Sequence, residues 1–223
     1  MATVRLIPTT PRHDEDHQVE RHWRSSLPME FRRGDYLYLP GDHARSVFLL
    51  RSGWVRIGRL LDSGGDLTLD LAGAGELVGE AALFGERQRI GLAQALSDVV
   101  ATPAPVSSLQ VGLRTSPGLA LVVSETVWRR SRRVEERAVD QAYADCAERL
   151  RHVLLEVAER FGVDEPDGRR IAVRLTHEDL ARMIGAARET VTPLLVEMRR
   201  SGAIHYDRSR FIIRDRAALQ RTA

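Results

Sequence analysis

The sequence predicts an α+β chain in three parts: an N-terminal antiparallel β-barrel, a long helix, and a compact helical pair closed by a two-stranded wing. Three observations carry this reading. Between Phe31 and Val106, short alternating apolar runs are separated by glycine-rich turns, the pattern of many short strands. Between Gly118 and Phe161 there is no proline and no further glycine, and apolar residues return at spacings of three, four and seven. Past Gly168, a Thr-x-x-Asp start, an isolated glycine and a last pair of apolar runs fit two helices and a hairpin into the end of the chain.

Residues 1–22 are expected to form a flexible arm, with Pro8, Pro11 and the histidines His13, His17 and His22 set among acids. Those histidines are a candidate metal set, but a solvated arm accounts for them more simply. The barrel is assigned to residues 23–116. Its first run, Tyr36 to Leu39, ends at Pro40-Gly41-Asp42; Val47 to Leu50 ends at Ser52-Gly53, and Trp54 to Ile57 follows at once. Asp62-Ser63-Gly64-Gly65-Asp66 reads as a hairpin turn leading into the alternating Leu67, Leu69 and Leu71. Regular turns between short strands favour an antiparallel barrel or sandwich.

The long helix is assigned to 117–161. Its 44 residues from Gly118 to Phe161 would span about 66 Å, more than one small domain needs, unless a break falls between Asp145 and Arg149. An apolar stripe through Val127, Val134, Ala138, Ala142 and Cys146, with Arg129, Arg130, Arg132, Arg133 and Arg137 interleaved, fits the seam of a two-helix homodimer with charged flanks. The plainer reading is a core helix lying on the barrel, with Cys146 a small core residue rather than a redox sensor.

The C-terminal domain is assigned to 162–223. Val163 to Gly168 reads as a linker loop, and Ile171 to Leu175 as a short strand. Thr176 and Asp179 form an N-cap pair, Leu180, Met183 and Ile184 supply an apolar face, and Gly185 turns the chain. A second helix from Arg188 to Arg200 buries Val191, Leu194, Leu195 and Met198. Ser201-Gly202 ends it, and Ile204 to Tyr206, a turn at Asp207 to Ser209, and Phe211 to Ile213 make the wing.

Composition narrows the function. All 33 basic residues are arginine, against 31 acids, for a net charge of +2. Residues 166–223 hold 12 Arg and 7 acids (+5), and the body before them is at −3. A basic module on a mildly acidic carrier is the footprint of nucleic-acid binding, although genomic base composition also accounts for arginine usage. No apolar run reaches the ~18–20 residues of a membrane span, and residues 1–20 lack a secretory signal. A single cysteine excludes an internal disulfide or a cysteine-clustered metal site. A cytoplasmic protein with no membrane partner is expected.

Two helices across a glycine turn make a helix-turn-helix. Its second helix would present Arg188, Glu189 and Thr192 to a major groove. Arginine pairs bidentately with guanine and glutamate accepts from cytosine N4, each good pair discriminating by ~1–3 kcal/mol. The structural alternatives are a surface charge for Arg188 and a first-turn acid on the helix dipole for Glu189.

Thr176-His177-Glu178-Asp179-Leu180-Ala181, Ile184-Gly185 and Arg188-Glu189-Thr190-Val191 resemble the winged helix-turn-helix of the Crp/Fnr transcription regulators. Gly41-Asp42, Gly53 and Gly75 to Phe84 (GELVGEAALF) resemble the cyclic-nucleotide-binding-like barrel that precedes it there. The resemblance covers about residues 23–215. It implies a jelly-roll (double-stranded β-helix) barrel and a homodimer, joined through the 117–161 helix, on a two-fold symmetric double-stranded DNA operator. It also implies work with RNA polymerase, which relatives touch near the Gly162 to Gly168 loop, so activation is expected. Arg188 and Glu189 match the base-reading pair, Thr176 and Thr190 match phosphate-touching positions, and His177 and Thr192 complete the expected DNA contacts.

In the barrel, Gly79 and Glu80 match the phosphate cassette, and Arg89 is the candidate phosphate arginine if the Gly85 to Gln88 loop is one residue short; these three are the possible effector-binding residues. The chain departs from the pattern at three places. Pro193 stands where a second base-reading arginine is common, so a half-site related to TGTGA but altered at one base pair is expected. Ile90 stands where a small hydroxyl residue follows the arginine. Val134 and Glu135 stand where cAMP-responsive relatives set hydroxyls against the base, and an unpaired buried polar group costs ~1–3 kcal/mol. Effector-independent or non-cAMP control is therefore expected, with no certain cofactor. The alternatives are a cyclic-nucleotide-gated regulator and, more distantly, a cupin-like barrel enzyme, for which the His-x-His is missing. No nucleophile elbow, His-Glu-x-x-His or phosphate-binding Gly-x-x-x-x-Gly-Lys is present, and Gly73-x-Gly75-x-x-x-Gly79 lacks the helix pattern a dinucleotide fingerprint needs.

Overall fold

The alternating N-terminal text is realised as eight strands. A computed structural model describes residues 21–62 and 64–220; most of the expected arm, with His13 and His17, lies outside them. The strands are β1 (Met29–Phe31), β2 (Tyr36–Tyr38), β3 (Ser46–Ser52), β4 (Val55–Leu60), β5 (Asp66–Ala72), β6 (Leu77–Val78), β7 (Leu92–Ala95) and β8 (Val99–Pro105). They form two four-stranded walls, β1-β8-β3-β6 and β2-β7-β4-β5, in which every pairing is antiparallel. Phe48, Leu50, Val55, Ala72, Val78, Ala93 and Ala101 fill the space between the walls. Small residues on several strands let the walls close, as the jelly-roll expectation requires.

His22 is not on a free arm: its ring lies against Gly112, and the neighbouring Trp23 is fully buried, donating its indole N–H to the Val47 carbonyl. The stretch after β8 also differs from the expectation. It forms α1 (Val106–Thr115), an amphipathic helix that buries Leu109 on the barrel.

The helical stretch expected over 117–161 is two helices, α2 (Pro117–Tyr143) and α3 (Cys146–Phe161), parted at Ala144–Asp145, at the edge of the window where the sequence allows a break. Ala144 is extended, and Asp145 caps α3 in a reciprocal capping box with Glu148. The apolar period runs on through the break, so periodicity alone conceals it. Cys146 becomes the half-buried first residue of α3, where Arg149 Nη2 donates to its Sγ at 3.1 Å.

The five arginines read as seam flanks divide into two sets. Arg129 and Arg132 are on the outside, paired with Glu125 and Glu136 one turn away. Arg130, Arg133 and Arg137, at three- and four-residue spacing on one helix face, turn inward to the barrel instead.

The expected Val163 to Gly168 linker is a hairpin, β9 (Gly162–Glu165) and β10 (Gly168–Ile171). The strand expected over Ile171 to Leu175 thus lies earlier, and Val173 and Leu175 continue past its end into the core. Then come α4 (His177–Ile184), α5 (Arg188–Arg200), the wing strands β11 (Ile204–Asp207) and β12 (Arg210–Ile213), and α6 (Arg216–Gln220). The wing completes a third sheet, β11-β12-β10-β9.

Leu150, Leu154 and Val157 of α3, Leu180 and Ile184 of α4, Val191 and Leu195 of α5, and Phe211 of β12 form one core. Each such side chain contributes about 1.5–3 kcal/mol on burial. Leu71 and Leu96 of the barrel belong to the same core, so the C-terminal head is packed on its own barrel. No helix among the described residues is long and apolar enough to cross a membrane.

Candidate nucleic-acid interface and barrel cassette

Local chemistry fixes the angle between α4 and α5. Thr176 begins α4 with a capping box: its Oγ1 accepts from Asp179 N at 3.1 Å, and Asp179 Oδ2 accepts from Thr176 N at 2.8 Å. The Thr176 hydroxyl also donates to Asp179 Oδ2 at 2.7 Å, so it is committed within the cap. Gly185 ends α4 at φ 63°, a left-handed conformation that costs most residues with a Cβ about 1–2 kcal/mol. Three residues later α5 begins, held by the buried Val191, Leu195 and Met198. Leu194, expected in the core, is half-buried at its edge.

Its outer face starts with Arg188, Glu189 and Thr190, all exposed in the first turn. The helix runs unbroken through the exposed Pro193. Thr192 Oγ1 donates to the Arg188 carbonyl at 3.0 Å. That uses its only hydrogen, so at 3.1 Å from His177 Nδ1 it is an acceptor and the imidazole carries the proton on Nδ1. Burial, then the Arg188 charge, lowers the His177 pKa below its usual 6.5. His177 also packs edge-on against Tyr206 of the wing, with ring centroids 5.5 Å apart. All six sequence-expected residues, Thr176, His177, Arg188, Glu189, Thr190 and Thr192, thus fall on the α4 and α5 starts.

Sequence reasoning passed over the wing arginines. Arg208 and Ser209 both take positive φ at the β11–β12 turn, and Arg208 and Arg210 are exposed there. Two consecutive left-handed residues suit the twist of a two-residue hairpin. Basic residues in the turn were the available signal.

The barrel cassette is occupied by the chain's own side chains. Gly79 is at φ 86° and Glu80 opens a 3-10 turn to Phe84, a single turn rather than the helix of a dinucleotide site. The Glu80 carboxylate is held by Arg130 from α2. Arg89 is buried; it donates to the carbonyls of Gly79 and Ser46, pairs with Glu86, and lies 4.4 Å over the Tyr38 ring. A Cβ on Gly79 would sit 2.9 Å from the Arg89 guanidinium. Burial pushes the Tyr38 hydroxyl up to about 12 against the Arg89 charge. Glu135 reaches toward Arg132 on the outer surface, and Val134 is an exposed apolar side chain. Glu80 and Arg89 are thus both paired with protein groups in this arrangement. Among the described residues no group of three His, Cys, Asp or Glu is placed to hold a metal ion.

The Crp-like helix-turn-helix domain model matches residues 148–222, and the cyclic nucleotide-binding domain model matches residues 28–114. The global nitrogen regulator of Synechococcus elongatus is 33% identical over 198 residues, covering 86% of this chain and 89% of that protein. The chain belongs to the Crp/Fnr family. Another relative, the CRP-like cAMP-activated global transcriptional regulator of Mycobacterium tuberculosis, is 29% identical over 196 residues, 88% of each chain. The crystal structure of a Crp-family transcriptional regulator from Thermus thermophilus matches with a TM-score of 0.73 at 27% identity, over 86% of this chain and 94% of that one. These relatives are transcription regulators, not enzymes, so the cupin-like alternative falls. As a Crp/Fnr protein the chain is a DNA-binding transcription regulator with a cyclic-nucleotide-binding-like barrel.

Proposed function

We propose that this Crp/Fnr regulator acts as a homodimer that reads a two-fold symmetric operator with α5 and activates transcription without cAMP. The observation that carries the reading is the first turn of α5, where Arg188, Glu189 and Thr190 stand exposed above a buried Val191 that fixes the helix. Arginine and glutamate there match guanine and cytosine edges in a major groove. The arginine-rich segment around it adds the phosphate attraction that every such interface needs.

Exposed Val127, Trp128, Val134, Val139 and Tyr143 along α2 support the dimer, because a second α2 would cover them. The acidic tip Glu165-Pro166-Asp167 of the β9–β10 hairpin is the surface offered to RNA polymerase. Such a protein works where the DNA is, in the cytoplasm. Control without cAMP is supported by the pairing of Glu80 with Arg130 and of Arg89 with main-chain carbonyls.

Operator selection with the purified protein, at stated salt and with or without cAMP or cGMP, tests the proposal. A palindromic site should emerge, and Arg188→Ala/Glu189→Ala should abolish its preference. An unchanged preference in that double variant sinks the assignment of α5. The second reading, a nucleotide-gated regulator, is favoured by the domain match over residues 28–114. It wins if nucleotide shifts operator affinity more than tenfold, about 1.4 kcal/mol of coupling.

A further inference from the structure

Asp70, in the middle of β5, is a carboxylate with no exposed side-chain surface. Its Oδ1 accepts from Arg133 Nε at 2.9 Å and from Arg160 Nη1 at 3.0 Å. Its Oδ2 accepts from Arg133 Nη2 at 2.7 Å and from Arg130 Nε at 3.0 Å. Two of these arginines come from α2, before the Ala144 break, and the third comes from α3, beyond it. One barrel side chain therefore ties together both sides of the hinge.

The surrounding acids complete the set. Arg130 pairs with Glu80, Arg160 with Glu76 and Glu156, and Arg137 with Glu156. Four arginines and four carboxylates leave the cluster neutral. Arg160 also donates to the Leu71 carbonyl at 2.6 Å and lies over the Phe161 ring. A second tie runs parallel: Asp66, on the same strand, pairs with Arg182 of α4 at 2.7 Å. A buried ionic cluster adds little net stability over apolar packing, and removing one partner leaves an uncompensated charge.

We infer that Asp70, acting through Arg160, is a positioning residue for DNA binding: it fixes the head relative to α2 and so sets the half-site spacing the dimer accepts. Among the described residues, three side-chain bridges cross the break directly: His152 to Asp140 and Arg149 to Gln141 lie beside it, and Arg137 to Glu156 runs into the same arginine, because Glu156 also holds Arg160. With this tie cut, each head keeps its base-reading surface and its apolar seat on the barrel, but its angle to α2 is held less tightly. Base preference and spacing preference then separate, which loss of folding alone does not produce. The inference rests on the dimeric reading of an operator.

The test uses the full chain and a library of paired half-sites whose spacer length varies. Wild type should select one narrow spacing. Arg160→Gln leaves Arg130 and Arg133 on Asp70 and should keep the half-site sequence. It should broaden the accepted spacings and lose at least fivefold in affinity at the preferred one. Arg160→Met keeps an apolar stem over Phe161 and supplies a folded variant should the glutamine one melt. A spacing profile identical to wild type, or an equal loss at every spacing, overturns the inference while leaving the dimer intact. Wild-type protein without any spacing preference overturns the dimeric reading and the inference with it.

Discussion

Gln141, near the end of α2, donates its Nε2 to the carbonyl of Ile184, the last residue of α4, at 2.7 Å. The frame helix therefore touches the helix-turn-helix at its turn, beside Gly185. A Cβ on Gly185 would stand 3.0 Å from the Gln141 amide and would have to adopt φ 63°.

Gly185→Ala should destabilise the head by about 1–2 kcal/mol, the cost of a left-handed residue with a Cβ. Gly185→Asn should cost less, because asparagine tolerates that region. Urea unfolding ranks the three proteins, and an alanine variant as stable as wild type contradicts the cap.

Pro193 removes one amide donor from α5, whose helix nonetheless continues to Arg200. Pro193→Ala should therefore stabilise the protein, by up to about 3 kcal/mol. Pro193→Arg should change operator preference at one base pair of each half-site, by ~1–3 kcal/mol. Identical selected operators for wild type and Pro193→Arg would falsify the specificity role of this position.

Burial pushes the Asp70 carboxyl up, but the Arg133 hydrogen bond and the charges of Arg160 and Arg130 outweigh it and hold the group well below the ordinary 3.8. A depressed folded pKa stabilises above the unfolded value and is lost as pH falls through and below it. Unfolding free energy should drop steadily as the pH is taken below about 5. Asp70→Asn should be less stable at neutral pH and should flatten that acid limb; a limb as steep as wild type assigns the acid sensitivity to other carboxylates.

His177 has the opposite charge type and the same direction of shift. Its folded pKa lies below 6.5, so the neutral ring is favoured, and the stability it gives is complete above that value and lost as pH falls through the folded pKa. On DNA a nearby phosphate favours the protonated ring. Operator affinity should thus rise as pH falls below 6.5, and His177→Asn should remove that rise. An equal pH slope in both proteins places the titrating group elsewhere.

The head was legible because its signals are local. Thr176 and Asp179 are three residues apart, Gly185 marks a backbone conformation, and α5 spans Arg188 to Arg200 as its pattern indicates. The α2–α3 break had a local signal too, Asp145-x-x-Glu148, within the window where the sequence allowed one, although the apolar spacing runs on across it. The arginine cluster had none. Arg133 and Asp70 are 63 residues apart, and Arg160 and Asp70 are 90 apart. An arginine in a helix reads as solvated until the strand carrying its partner is in place. The barrel cassette shows the same limit, since nothing near Glu80 in the sequence announces Arg130.

The capping box at Asp145 gives α3 a start of its own, so the segment from there onward carries its reading surface in one continuous piece of chain. Its orientation is not carried with it. Its ionic ties to the barrel run to Asp66, Asp70 and Glu76, which stay behind. A graft of residues 145–220 onto another family member's barrel would transplant the sequence preference and leave the aim behind, unless those three acids travelled with it.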